Sequence, residues 1–151
     1  MYFDKSQVMR VSRSNESLQI KVNNRELKEV DHLRYLGSVL TRDGYCTREI
    51  KMRIAIAKEA FNRKLLLLTS KLNIELKKKL VRCHIWSITL YGSEIWTLRN
   101  LQRKYLESFE MWCWRRMEKI KWSDKVTNEQ VLQRIGEKRT LLNNILRRKA
   151  N

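Results

Sequence analysis

The stretch that decides the fold covers residues 47–68 and reads TREIKMRIAIAKEAFNRKLLLL. Its apolar residues recur at spacings of three and four, which is the period of a helix with one buried face. They are Ile50, Ile54, Ala57, Phe61, Leu65 and Leu68. Thr47 belongs to the residue types that cap helix N-termini. The stretch therefore predicts a long amphipathic helix that starts at Thr47.

Helical patterns continue along the chain. Asn73 can cap a second helix, which leads into the nearly all-apolar region 85–96. A third pattern follows, with large apolar residues at helical spacing: Leu101, Tyr105, Phe109, Trp112, Met117 and Ile120. Trp112 and Trp114 point about 160° apart on a helix, so at most one of them is free for a ligand. We expect Trp112 to lie in the core.

Two shorter helices are predicted near the end of the sequence. Thr127 and Gln130 have the spacing of a capping box, and Gly136 is placed to end the helix that follows them. Leu141 begins the last helix, which reaches Asn151 without a stop signal. We therefore expect that the chain is cut within a helix.

The first 45 residues have the pattern of short strands instead. The pair Asn23-Asn24 fits a hairpin turn, because Asn tolerates the left-handed conformation that tight turns need. The stretches with β character are residues 7–12, 18–22, 25–30 and 35–40, the last stopped by the turn pair Asp43-Gly44. We interpret them as a small antiparallel hairpin or meander. The sequence thus predicts an α+β chain, mostly α, with regions 1–45, 46–100 and 101–151.

Charge is the most informative feature of the composition. The 151 residues include 33 Lys+Arg and 16 Asp+Glu, which gives a net charge of +17. A surplus of this size repels itself unless a polyanion shares it, so nucleic acid is the first candidate partner and an anionic membrane surface the second. With 42% hydrophobic residues, no proline and only four glycines, the composition excludes wholesale disorder and a collagen-like chain.

Apolar runs are too short for a membrane span, and no signal peptide is visible at the N-terminus. We expect an intracellular protein, nuclear or cytoplasmic, with no membrane partner.

The cysteines Cys46, Cys83 and Cys113 are too widely spaced for a disulfide framework or a metal motif. We interpret them as reduced and mostly buried thiols.

Residues that could carry catalysis are scarce. Two-metal phosphoryl chemistry needs grouped carboxylates, but none of the four aspartates has an acidic neighbour in sequence: Asp4, Asp31, Asp43 and Asp124. Glu107 and Glu110 share a helical face, and we interpret both as solvent-exposed. His84 lies in an apolar helical region, where a core or interface role is the more common one. We therefore predict no catalytic residue, no metal site and no cofactor.

Basic residues along several helices favour nucleic-acid binding. On the first predicted helix, Lys51 and Lys58 flank one side of the apolar stripe and Arg53 and Lys64 the other. The predicted phosphate contacts are Lys51, Arg53, Lys58, Lys64, Lys78 and Arg82. Each basic run taken alone is also compatible with a solvated surface.

Several motifs in order resemble the reverse transcriptases of LINE-type (non-LTR) retrotransposons. They are VDHLRYLGSVLTRDG at residues 30–44, LYGSEIWTL at residues 90–98, and ESFEMWCWRRMEKIKWSDKVTNEQVLQRIG at residues 107–136. Residues 5–9, KSQVM, are similar to the family's Lys-Thr-Lys-Val-Met-like run, with Gln7 departing from it. The similarity covers nearly the whole chain.

This resemblance implies the end of the polymerase palm, the primer grip, the thumb and the region that follows it. Tyr35-Leu36-Gly37 matches the Tyr-Leu-Gly hairpin of the primer grip, so Tyr35 and Gly37 are expected to lie against the primer strand. The helices from Thr47 match the thumb, which closes on a template–primer duplex. The expected partner is an RNA–DNA or DNA duplex, bound without sequence preference.

The fingers and most of the palm precede these motifs in the family, including the paired aspartates that hold the catalytic metals. No Asp-Asp occurs in this sequence. We therefore expect a polymerase fragment with residual template–primer binding and no enzymatic activity by itself. The alternatives are a host-adopted small basic protein that binds RNA or DNA, a helical protein-interaction module, and a remnant without function.

Overall fold

The computed structural model describes residues 6–12, 16 and 19–150. These form two compact units, one ending at Glu49 and the other beginning at Ile50. Short strands lie in the first unit and helices dominate the second, which confirms the predicted α+β class with mostly α structure. Residues 4, 5 and 18, on which parts of the predictions above depend, lie outside the described residues.

The first unit contains six short strands among its described residues. They are β1 (Gln7–Val8), β2 (Lys21–Val22), β3 (Arg25–Glu26), β4 (Lys28–Glu29), β5 (His32–Tyr35) and β6 (Ser38–Thr41). Strands β2 and β3 form one antiparallel hairpin, and β5 and β6 form another. Strand β1 pairs with β4 in parallel. The expected antiparallel hairpin is therefore present twice, but the described strands form three separate pairs, one of them parallel, and not a meander.

Both hairpin turns are built from residues with positive φ. Asn23 and Asn24 have φ values of 50° and 60°, which confirms the predicted turn. Leu36 and Gly37, with φ values of 48° and 80°, reverse the chain between β5 and β6. The prediction of one continuous strand over residues 35–40 is therefore wrong. The structure has a hairpin around Tyr35-Leu36-Gly37 instead, as the resemblance implied.

Glu49 joins the second hairpin to the start of the first helix within this unit. Its side chain is buried, and the backbone N–H of Val39 on β6 donates a hydrogen bond of 2.6 Å to Oε2 of Glu49. Because a buried carboxylate must be paired, this contact fixes the hairpin to the helix N-terminus.

The helical unit follows. Its helices are α1 (Thr47–Arg63, which begins in the first unit), α2 (Leu65–Leu68), α3 (Ile74–Val81), α4 (Ser87–Thr89), α5 (Asn100–Met117), α6 (Asn128–Ile135) and α7 (Leu141–Ala150). A π-helical segment, Arg82–Trp86, joins α3 to α4, and short 3-10 turns cover Ser93–Ile95 and Trp122–Asp124. The predicted helix over residues 47–68 is thus interrupted at Lys64.

Helix caps agree with the sequence patterns. The backbone N–H of Glu75 donates to Oδ1 of Asn73 at 2.8 Å, which confirms the predicted start of the second helical stretch. Thr127 and Gln130 exchange reciprocal hydrogen bonds of 2.9 and 3.3 Å, so the capping box is present. Gly136 ends α6 with a left-handed φ of 62°.

Aromatic residues form the centre of the helical core. Trp114 is fully buried and makes an edge-to-face contact with Trp86, with ring centroids 5.5 Å apart. Phe109 contacts Trp86 in the same way at 5.9 Å. Trp112, in contrast, is only half-buried. The placement of Trp112 in the core is therefore wrong, and Trp114 takes that position.

Glu110 on α5 is buried, so the prediction that it is solvent-exposed is wrong. Its Oε1 accepts hydrogen bonds from the backbone N–H of Thr140 at 2.9 Å and from the Thr140 hydroxyl at 3.3 Å. The backbone N–H of Leu141 lies 3.4 Å from both carboxylate oxygens. The carboxyl group of Glu110 on α5 therefore caps the N-terminus of α7.

The Glu110 carboxyl predicts a specific pH dependence of stability. Burial raises the pKa of Glu110 above its ordinary 4.5, and the hydrogen bonds from Thr140 and Leu141 oppose this only in part. The folded chain therefore keeps this proton at pH values where the unfolded chain has lost it. The contribution of Glu110 to stability is then greatest below pH 4.5 and falls as the pH rises through the raised pKa.

The substitution Glu110→Gln removes this titration while it keeps an oxygen acceptor. We expect the difference in unfolding free energy between variant and parent to move in favour of the variant as the pH rises from 4.5. Urea unfolding at a series of pH values measures this difference. A difference that does not change with pH would contradict the prediction.

Candidate nucleic-acid interface

Helices α1 and α5 carry a row of cations against aromatic rings. Lys51 Nζ lies 5.0 Å from the ring centroid of Tyr105, and Lys58 Nζ lies 5.1 Å from that of Trp112. The guanidinium carbon of Arg116 is 5.4 Å from the same Trp112 ring. We call Lys51, Lys58 and Arg116 the α1–α5 cation row. Its two lysines lie on one side of α1, as predicted.

Matching spacings on the two helices produce this row. Lys51 and Lys58 are seven residues apart, and so are their ring partners Tyr105 and Trp112. Seven residues are two helical turns, or about 10 Å along the axis. The two lysine–ring contacts are therefore spaced alike on both helices, about two turns apart.

Trp112 is held firmly by its own aromatic neighbours. Its ring stacks on Phe109 with an interplanar angle of 17° at 6.1 Å, and Phe61 of α1 meets it edge-on at 5.2 Å. Half-burial leaves part of the indole open to Lys58 and Arg116. The ring thus fixes the position of two cations.

A ring attracts a cation without neutralising it, since the attraction comes from the quadrupole of the π-system. Among the described carboxylates, none lies within ion-pair distance of Lys51, Lys58, Lys64 or Arg116. Their positive charge is therefore available to an external anion. Lys64 lies at the interruption between α1 and α2.

Arg53 contacts a different aromatic ring. Its guanidinium carbon lies 4.5 Å from the ring centroid of Tyr91, which is itself about half exposed. Arg53 therefore lies on a different side of α1 from Lys51 and Lys58, as predicted. Its part in binding stays a prediction.

Lys78 does not agree with its predicted place among the phosphate contacts. Its side chain is only 4% exposed, and Nζ forms ion pairs with Glu75 at 2.5 Å and Glu137 at 3.4 Å. Nζ also donates to the backbone carbonyl of Ile135 at 3.0 Å. The hydrogen bond to Glu75 is the main cause that raises the pKa of Lys78, with Glu137 adding to it and burial opposing. This charge is thus neutralised inside the protein.

Arg82 shares the same acidic partner. It forms an ion pair with Glu137, although 43% of its side chain stays exposed. Since Glu137 lies far along the chain from Lys78 and Arg82, helical spacing around these two residues gave no sign of it. We leave Lys78 out of the proposed binding surface and keep Arg82 as a partly neutralised cation.

Tyr35 and Gly37 lie at the tip of the β5–β6 hairpin. Tyr35 is 63% exposed and Leu36 is 76% exposed. A leucine with a φ of 48° is strained by about 1–2 kcal/mol relative to a right-handed conformation, whereas Gly37 adopts its φ of 80° without a steric cost. The tip therefore presents a flat aromatic side chain next to a strained turn.

The remaining reactive side chains are dispersed. Cys113 is buried, and burial raises the pKa of its thiol well above the usual range. Cys46 is half-buried and Cys83 is exposed, so the expectation of mostly buried thiols is wrong. His84 is exposed and does not lie in the core. Within residues 6–12, 16 and 19–150, no cluster of three or more His, Cys, Asp or Glu is arranged to hold a metal ion.

The described helices were also compared with the requirements for crossing a membrane. In the described part of the chain, no helix combines the length and the apolar character that a membrane crossing requires. Arg116 was not among the predicted phosphate contacts, and Tyr105 was predicted only as part of an apolar helical pattern. The signals that could have found them are the equal seven-residue spacings of Lys51/Lys58 and Tyr105/Trp112, and the four-residue spacing from Trp112 to Arg116.

Comparison with known proteins gave no match to any family model, curated protein or solved structure.

Proposed function

We propose that the helical unit binds nucleic-acid duplexes through their phosphate backbones, without sequence preference. The observation that supports this best is the α1–α5 cation row, in which Lys51, Lys58 and Arg116 are positioned by aromatic rings and have no described carboxylate partner. Cations that are fixed in place and not neutralised suit a polyanion with a regular array of phosphates.

The excess of positive charge supports the same proposal. The chain carries 33 Lys+Arg against 16 Asp+Glu. Several acidic side chains are already used internally, including Glu110 at the cap of α7 and Glu137 beside Lys78. Even if every acidic side chain were paired internally, 17 basic side chains would stay unmatched, so a polyanionic partner would relieve their self-repulsion.

We propose further that this duplex is the template–primer of a LINE-type reverse transcriptase, with the helical unit as a thumb-like part. The hairpin tip would then lie against the primer strand, with Tyr35 in contact through its exposed ring and Gly37 allowing close backbone approach. In this proposal the chain positions nucleic acid and takes no part in the chemical step, because catalysis depends on paired aspartates that this sequence lacks.

One observation favours a second candidate, a helical protein-interaction module. Leucines on and near α2 and α3 are exposed, with Leu66 at 89% and Leu67 and Leu76 near half. Exposed apolar side chains that lie close together are typical of protein contact surfaces. Under this alternative, nucleic acid would not compete for the bound protein partner.

Competition binding tests the proposed function. A fluorescein-labelled RNA–DNA hybrid of about 20 base pairs is bound by the full chain and displaced by unlabelled duplexes of the original and of scrambled sequence. We expect the two competitors to displace the label at concentrations equal within about twofold, since backbone contacts do not read bases. A preference of tenfold or more for one sequence would contradict non-specific binding. Absence of duplex binding would remove the proposal and leave the interaction module.

A further inference from the structure

Trp122 is the most exposed large apolar side chain in the described part of the chain, at 97%. The other four tryptophans differ from it: Trp86, Trp96 and Trp114 are buried and Trp112 is half-buried. Full exposure of an indole costs the hydrophobic free energy that its burial would supply. An indole this exposed is free to stack on a ligand.

Hydrogen bonds fix the loop that carries Trp122. We call residues 118–127, between α5 and α6, the Trp122 loop. Within it, the backbone N–H of Lys121 donates to Oδ2 of Asp124 at 2.7 Å, and the N–H of Asp124 donates to the carbonyl of Lys121 at 3.1 Å. These two bonds close the short turn on which the indole stands.

Arg115 of α5 ties the other end of the loop. Its Nη2 donates to the carbonyl of Val126 at 2.6 Å and to Oδ1 of Asn128 at 3.0 Å. Thr127 then caps α6 through its reciprocal bonds with Gln130. The exposed indole thus stands on a loop that is anchored to both neighbouring helices, and a ligand would meet it largely pre-organised.

The backbone on both sides of Trp122 is strained. Lys119 has a φ of 55° and Lys125 a φ of 49°, although neither is glycine. At Lys119 the left-handed residue ends α5 in a Schellman motif, in which the backbone N–H of Ile120 donates to the carbonyl of Arg115 at 2.9 Å. The end of α5 therefore helps to fix the course of the loop.

The surroundings of the indole are basic. Lys119, Lys121 and Lys125 are exposed, and no described carboxylate lies within ion-pair distance of them. The one aspartate of the loop, Asp124, accepts the backbone N–H of Lys121. A surface depression of about 550 Å³ lies beside Trp122 and is lined by Lys125, Thr127 and Asn128 among others. The loop therefore offers an aromatic face, phosphate-binding cations and hydrogen-bonding groups together.

We propose that the Trp122 loop binds an unpaired nucleobase, with the indole stacked on the base and Lys121 and Lys125 contacting the adjacent phosphates. Stacking on an aromatic ring between cations is the common means of holding single-stranded nucleic acid, and it tolerates any base. A second copy of this chain is disfavoured as the occupant, because each copy carries a charge of +17. The site shares only its ligand class with the proposed duplex binding and uses none of the α1–α5 cation row.

Fluorine NMR with the full chain tests this proposal. Incorporated 5-fluorotryptophan gives one resonance for each of the five tryptophans, and the substitution Trp122→Phe identifies that of Trp122. On addition of oligo(dT) of about 12 nucleotides, we expect the Trp122 resonance to shift most and those of buried Trp86, Trp96 and Trp114 to stay in place.

Affinity measurements provide the second readout. Trp122→Ala should weaken oligo(dT) binding about 5- to 150-fold without changing its salt dependence, because no phosphate contact is lost. Lys121→Gln with Lys125→Gln should instead reduce the salt dependence. Leu66→Ala removes another highly exposed apolar side chain and should leave oligo(dT) binding unchanged. Trp122→Ala should also leave blunt-duplex binding unchanged.

Several outcomes would overturn the proposal. Oligo(dT) affinity that is unaffected by Trp122→Ala would do so, as would an unmoved Trp122 resonance or the absence of oligo(dT) binding. An equal loss of blunt-duplex affinity would show that the indole does not select unpaired bases.

If Trp122→Ala abolishes self-association, or binding to vesicles of phosphatidylcholine and phosphatidylserine, while oligo(dT) affinity is kept, the occupant is a second copy or a lipid surface. Oligo(dT) binding that depends on Trp122, in a chain that binds no duplex, would support this site and contradict the proposed function alone.

Discussion

Between about 50 and about 200 mM salt, we expect the affinity of the chain for a nucleic-acid duplex to fall about 500-fold. Five cations are candidates for phosphate contacts: Lys51, Arg53, Lys58, Lys64 and Arg116. At ~0.9 released counterions for each contacted phosphate, they give a slope of about −4.5 in the logarithm of affinity against the logarithm of salt. Lys78 is left out because Glu75 and Glu137 pair with it.

Fluorescence anisotropy of a labelled RNA–DNA hybrid at a series of salt concentrations measures this slope. The same titration with a DNA duplex shows whether the hybrid is preferred. Affinity that stays constant over this salt range would contradict a phosphate-directed interface. A steeper slope than about −4.5 would indicate that further cations, such as Arg82, also contact phosphates.

Trp114→Ala should produce the largest loss of stability, about 3–5 kcal/mol. Trp114 is fully buried and contacts Trp86, so truncation leaves a large cavity at the centre of the helical unit. Domains of this size are stable by only about 5–15 kcal/mol, and the variant is therefore expected to be close to unfolding at room temperature. Urea unfolding followed by far-ultraviolet circular dichroism measures the change.

Trp112→Ala is the matched control, because the two residues are neighbours on α5 and have the same side chain. Trp112 is only half-buried, so its truncation should destabilise the chain clearly less than Trp114→Ala. It should instead weaken duplex binding, since Lys58 and Arg116 lose the ring that positions them. A larger stability loss for Trp112→Ala than for Trp114→Ala would contradict the described core.

Local signals in the sequence predicted the starts of α3 and α6 and the end of α6. Asn73 and the Thr127–Gln130 pair act on backbone groups two or three residues away, and Gly136 needs only its own conformational freedom. Such interactions are complete within a few residues, so the sequence contains everything that decides them.

Long-range partners explain the predictions that were wrong. Glu110 looked like a surface residue because its partner, Thr140, lies 30 residues away in sequence. Gln102 is likewise buried, with its side chain accepting the backbone N–H of Arg99. The buried face of α5 thus contains two polar residues. A prediction based on apolar residues alone does not find this face, and it therefore placed Trp112 in the core in place of Trp114.

The pairing of the strands also depends on partners that are distant in sequence. Strands β1 and β4 are each two residues long, and their parallel pairing joins Gln7 to Lys28. Alternation of apolar and polar residues predicts that a stretch is extended, but it does not specify the partner of so short a strand. The turns Asn23-Asn24 and Leu36-Gly37 decide the two hairpins instead. Asn tolerates a positive φ at both positions of the first turn, whereas the second combines a strained Leu36 with Gly37.

The most direct test of the central claim compares two variants with equal net charge. The first replaces Lys51, Arg53, Lys58 and Lys64 by Gln, and the second replaces the exposed Lys21, Lys28, Lys138 and Lys149 by Gln. Each loses four positive charges, from +17 to +13. The account predicts that the first variant flattens the salt slope of duplex binding by about 3.6 units and the second by less than about 1 unit. Equal slopes for the two variants would show that binding follows net charge alone, and would contradict a binding surface on α1 and α5.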